Sequence, residues 1–188
     1  MSEPVLTGGE GFTDAATFAF ADPAAGFFGL ARAGAASGPE GLQGSALGVL
    51  FAGREPVGIV AEGGAALAAG AGWDELRLPG LVVRTLEPHA RWHVALDAPG
   101  GAGFELEFEA ASPPAELAAD DDAARLGGMA GHERLCRVTG TVAGRPIDCL
   151  GQRGRSWGTA DWSRLALTRS VSAWLEEGPS VGDRKSVV

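Results

Sequence analysis

Cysteine and histidine are both scarce. The 188 residues hold two cysteines and three histidines, which leaves little from which to build a metal centre. The histidines stand in EPH, RWH and GHE (His89, His93 and His132), and a zinc site needs three or four converging ligands. They read as solvated or capping residues, and no metal or cofactor is expected. Basic charge is also in deficit. Fifteen Lys and Arg against 24 Asp and Glu give a net charge of -9, a sign that repels a phosphate backbone and removes nucleic acid from the expected partners. Long apolar runs are missing too. The Ala-rich stretch near residue 65 is split by glycine and preceded by Glu62, so no membrane span is expected. MSEPVLTGGEGF carries no basic region followed by an apolar one, which argues against secretion and points to a cytoplasmic protein with free thiols.

Hydrophobic residues make up 45% of the chain and charged ones 21%, which is globular, and this length fits one domain that buries a sizeable core. Thirty glycines and eleven prolines cut the chain into short pieces, most with the two-residue alternation of half-buried strands. In 104–110, Phe104, Leu106, Phe108 and Ala110 point one way and Glu105, Glu107 and Glu109 the other. In RWHVALD, Trp92, Val94 and Leu96 oppose Arg91, His93 and Asp97, and Pro99, Gly100 and Gly101 turn the two segments into a hairpin. Further strands are predicted at 17–20, 27–33, 45–52, 57–62, 81–86, 135–142 and 147–151. PPAELAADDDAARLGG at 113–128 is the one helical or irregular insert. Short links between successive strands predict an all-β antiparallel meander that closes into a barrel or half-barrel.

Cys136 and Cys149 fall in one predicted hairpin turning at Gly144-Arg145. In that register Val142 faces Ile147 and Cys149 faces Gly140, which leaves Cys136 four residues along the strand, or roughly 13 Å. A disulfide wants Cα atoms within about 7 Å.

The run LEPHARWHVALDAPGGAGFELEFEAASPP (86–114), followed by GHERLCRVTGTVAGRPIDCLGQRGRSWG (131–158), resembles bacterial lipocalin-like proteins of the calycin group. These are related to the hydroxyneurosporene synthase (carotenoid hydratase) and AttH-like families. The resemblance covers about residues 12–178 and rests on the order of its parts: a Trp strand, an acidic-apolar strand, a C-R-V-T-G-T-V hairpin and a motif of the form G-x-R-D-H-S-W-G-x-R-D-W. It implies a lipocalin-like domain after an N-terminal tail at 1–11, normally followed by a second such domain that is a candidate partner in the full-length chain. The last residues, 179–188, read as a linker or non-native tail. DRKSVV at 183–188 matches a translated sequencing adapter, so truncation of a longer gene is expected.

The motif segment is GQRGRSWGTADW, residues 151–162. Strand alternation puts Arg153, Arg155 and Trp157 on one face. One reading is an arginine-tryptophan patch at a barrel mouth, with Trp92, His93 and Asp161 alongside, holding the polar or anionic end of a hydrophobic, isoprenoid or lipid-like ligand. The plainer reading is closure: Trp157 and Trp162 plug the barrel end, Arg153 lies inward and pairs with Asp161 or a backbone carbonyl, and Arg155 stays exposed. The resemblance also implies a third reading, a hydratase or cyclase acting on an isoprenoid. Where its pattern carries Asp-His, a natural acid/base pair, this chain has Gly154-Arg155, and neither residue shuttles protons. Ser156 has no G-x-S-x-G elbow, the Asp120-Asp121-Asp122 run lacks the rest of a calcium loop, and GGEGF and GPEGLQG lack the features of a phosphate cradle. His93 with Glu105 or Glu107 is a candidate pair across its hairpin.

Overall fold

A computed structural model describes residues 5, 7–68, 70–118, 120, 121, 124, 128–159, 161, 163, 167–173 and 181–187. Its strands are β1 (Thr13–Asp22), β2 (Phe27–Gly38), β3 (Gly41–Ala52), β4 (Glu55–Ala66), β5 (Glu75–Leu78), β6 (Leu81–Glu87), β7 (Arg91–Asp97), β8 (Gly103–Ala110), β9 (Ala115–Glu116), β10 (Met129–Val142), β11 (Arg145–Gly158), β12 (Leu167–Ala173) and β13 (Val181–Val187). The first four form one meander and β5 to β8 a second. The long β10–β11 hairpin joins them, pairing β11 to β1 and β10 to β8, so one antiparallel sheet runs β4-β3-β2-β1-β11-β10-β8-β7-β6-β5. Its ends curl together, with β3 meeting β5 and β6, and β4 meeting β7. The result is the expected lipocalin-like barrel, nearly closed.

Alternation drives this arrangement. Trp92, Val94 and Leu96 on β7, and Phe104, Leu106 and Phe108 on β8, are all buried inside, while Arg91 and Glu107 bond on the outside at 2.9 Å. Across the barrel, Phe18 of β1 meets Phe108 edge-on at 5.1 Å, and Phe20 meets Phe104 at 5.3 Å, the geometry that aromatic quadrupoles favour. Gly48 of β3 lets the far wall close in, because a Cβ there would stand 2.2 Å from Leu96 Cδ1.

Several boundaries differ from the sequence expectation. The strand predicted at 17–20 begins at Thr13 and the one predicted at 147–151 runs on to Gly158. Both extensions carry inward charges, which break the apolar alternation that reveals a strand. The β10–β11 register also needs correction. Val142 faces Arg145 and Cys149 faces Val138, because the chain reverses at Ala143-Gly144, whose φ values are 47° and 75°. Two successive left-handed residues make the tight two-residue turn whose twist suits a hairpin. Cys136 then faces Gly151, two residues from Cys149 rather than four, and both thiols are free.

The 113–128 insert is irregular where described and includes the short β9, which pairs with β10. Residues 119, 122, 123 and 125–127 lie outside the described residues. From the expected N-terminal tail, Val5 is buried in the core and Gly11 N–H donates to Ser37 O at 3.0 Å. At the other end β13, which takes in most of the adapter-like segment, pairs only with β12 among the described residues.

Candidate functional site

One end of the barrel carries charge on its inner face. Three adjacent strands supply it in matched register: Asp14 and Ala16 on β1, Arg153, Arg155 and Trp157 on β11, and His132 and Arg134 on β10. Ala16 and His132 both face Arg155, while Phe18 and Arg134 both face Arg153. Trp73, ahead of β5, and Trp92 on β7 complete the layer, both 1% exposed.

Asp14 is fully buried. Arg155, 8% exposed, grips it with Nε at 3.1 Å and Nη2 at 2.8 Å, and Trp73 Nε1 donates to Oδ2 at 3.0 Å. A buried carboxylate survives only when such donors replace its water. The Arg155 guanidinium also lies 5.8 Å from the Trp73 ring and 5.7 Å from the Trp157 ring. Beside this pair, Arg153 is 1% exposed and stacks 4.6 Å above Trp92. Its Nη1 lies 2.8 Å from His132 Nε2. Arginine has no acceptor atom, so the imidazole must present its Nε2 lone pair and carry its ring proton on Nδ1. His132 also meets Trp157 edge-on at 5.9 Å. Lower on the same face, burial pushes the Cys136 thiol up to about 12, which leaves it protonated and unreactive at neutral pH.

Four of the six predicted site residues, Trp92, Arg153, Arg155 and Trp157, therefore converge, and two do not. His93 faces outward, its Nε2 3.1 Å from Glu105 Oε1, one of the two partners expected. Asp161 is exposed and accepts from the Ser163 backbone N–H at 3.1 Å, so it is not the partner of Arg153. Trp162 lies outside the described residues. Arg155 is buried, not exposed, and His132 is an interior residue, not a solvated cap. Sequence reasoning missed Asp14 and Trp73. Asp14 hides because an aspartate three residues ahead of a predicted strand looks like a turn, and Trp73 because it sits in a turn itself.

The register also changes the meaning of Gly154-Arg155. Successive strand residues point to opposite faces, so side chains at 154 and 155 cannot share a proton. Position 154 opens on an outer cleft of about 180 Å³ lined by Thr17, Ala19, Leu30, Glu133, Gln152 and Ser156, among others. The inner partner of position 155 is Asp14.

The nearly closed antiparallel barrel is a lipocalin-like fold. The chain belongs to the family described as a domain of unknown function, DUF7064, which matches residues 6–182. The crystal structure of a protein provisionally named AttH, from Nitrosomonas europaea, superposes with a TM-score of 0.66 at 11% identity over 97% of this chain. This chain spans 62% of that protein's length, and at such identity the likeness is one of fold. CghA, solved with Sch210972 and alone, is 12% identical with a TM-score of 0.42 over 92% of this chain and 57% and 56% of that protein. That level supports no argument about either fold or ligand. No curated protein matches the sequence. Among the described residues no helix is long and apolar enough to cross a membrane.

Proposed function

We propose that this domain binds a small, largely apolar molecule, isoprenoid- or lipid-like, whose polar end rests on the arginine-tryptophan layer. The observation that supports this is the composition of the barrel's inner face. Among the described residues three arginines, Arg134, Arg153 and Arg155, gather at one end of an otherwise aliphatic and aromatic interior, against one buried carboxylate, Asp14. Placing cations among tryptophans costs desolvation, and binding sites combine apolar walls with a few placed polar groups in this way. Titration with the uncharged probe N-phenyl-1-naphthylamine tests the proposal. Saturable binding at one site per chain, weakened by Trp92→Ala in a variant that still unfolds cooperatively, is the expected result. Unsaturable, weak partitioning would count against it.

The outside of the barrel favours a second reading, a half-domain that packs on a sister domain. In register across β11, β1, β2 and β3 run Leu150, Ala21, Phe28 and Phe51, and next to them Ala19, Leu30, Val49 and Ile59 across β1 to β4. Ile59 is 56% exposed and Leu150 44%. Contiguous apolar rows of this kind are where proteins meet partners. If they are a docking face, Ile59→Glu will turn an associating chain into a monomer without lowering its unfolding midpoint. An already monomeric wild-type chain removes the reading.

A hydratase or cyclase activity has less support in this chain. Asp14, the inward carboxylate nearest the motif, is held by Arg155 and Trp73, which fixes it as an acceptor rather than leaving it to relay protons.

A further inference from the structure

We infer that the polar end of the ligand is a single organic carboxylate, received by Arg134 and the indole N–H of Trp92. The inference rests on the binding proposal above. Both donors lack an acceptor. The Nε1 of Trp92 is buried with no hydrogen-bond partner, in a residue 1% exposed, and the Nε of Arg134 is buried and unpartnered as well. A buried N–H that gives up water without finding an acceptor costs free energy, and a ligand oxygen removes that cost.

The two groups flank the same side chain. Arg134 stands directly across the β10–β11 ladder from Arg153, and the Arg153 guanidinium lies over Trp92 at 4.6 Å. The other arginines of the layer are engaged, Arg155 by Asp14 and Arg153 at His132. The Arg134 side chain forms no hydrogen bond or ion pair with a described residue, so one guanidinium is left for an anion. A guanidinium fork matches the two oxygens of a carboxylate, and the indole N–H adds a third donor. A dianionic phosphate would bring a second charge with no second unengaged arginine among the described residues of the layer to meet it.

The test titrates the full chain with dodecanoate, dodecanol and dodecyl phosphate, followed by tryptophan fluorescence, in the wild type and in Arg134→Gln, Arg134→Lys and Trp92→Phe. Dodecanoate should bind about tenfold more tightly than dodecanol, the worth of one charge-assisted hydrogen bond. Arg134→Gln should erase that preference, weakening dodecanoate binding more than dodecanol binding. Arg134→Lys should keep part of it, and Trp92→Phe should lose part of it. Should Arg134→Gln fail to fold, the Lys and Phe variants decide the matter. Equal binding of acid and alcohol, a preference that survives in Arg134→Gln, or tighter binding of the phosphate overturns the inference and leaves the binding proposal standing. Binding of none of the three overturns that proposal, and the inference falls with it.

Discussion

Asp14 and Arg155 lie 141 residues apart in the chain and meet inside the barrel in a two-point ion pair of 3.1 and 2.8 Å. The contact ties β1 to β11, the pairing that fastens the first meander to the long β10–β11 hairpin.

Breaking that pair from one side should be expensive. Arg155→Ala leaves Asp14 as a buried charge without its guanidinium, and a loss of about 3–5 kcal/mol is expected. Removing both charges, with Asp14→Asn and Arg155→Gln, should cost less than the sum of the single changes. Urea unfolding of the three variants gives the comparison. A loss under about 1 kcal/mol for Arg155→Ala, the value of an exposed pair, would show that the buried geometry is not what stabilises the pair.

Two glycines of the hairpin should respond in opposite ways. Gly140 has φ 140°, and a Cβ there would stand 2.2 Å from the Glu105 carbonyl oxygen, so Gly140→Ala should destabilise by about 1–3 kcal/mol. Gly154 has only ordinary contacts, the closest being Glu133 Cγ at 3.7 Å. Gly154→Ala should be neutral or stabilise by up to about 1 kcal/mol. Thermal midpoints of the pair decide it, and equal losses would contradict the register.

Cys136 predicts an alkaline effect. Burial raises its folded-state value to about 12 from an ordinary 9.0. A raised value means that the folded state holds the proton more tightly than the unfolded one. The stability this contributes is whole below about pH 9 and declines as pH climbs towards 12. Unfolding midpoints of Cys136→Ala should therefore fall less steeply than those of the wild type between pH 9 and 11. Parallel slopes would be the contrary result.

The 183–188 segment is proposed to be adapter-derived, and its strand pairs with β12 outside the barrel sheet. Deleting it should leave the barrel's unfolding free energy within the about ±0.5 kcal/mol of ordinary surface changes. A larger drop would give the segment a structural role, and finding the same six codons in intact genomic DNA would end the adapter explanation.

The hairpin of Trp92 and Phe104 is legible in the amino-acid sequence because each strand alternates strictly and Pro99-Gly100-Gly101 marks the turn between them. β1 and β11 are legible only in part. Their ends place Asp14, Arg153 and Arg155 where alternation leads one to expect apolar side chains, and the same residues form the candidate site. The motif marks Arg153 and Trp157, whereas His132 and Trp73 have nothing local to mark them.

The sequence by itself determined the β class, most strands, the turns between near neighbours and the inward set of apolar residues, because each depends on residues a few positions apart. Tertiary structure decided the pairing of β1 with β11, the partners of Arg153 and Arg155, and which N–H groups were left without acceptors. Those outcomes depend on how a whole sheet curls and on which charges can share one dry space. A buried arginine's partner is set by register summed over the whole barrel, and no short window of sequence contains that sum.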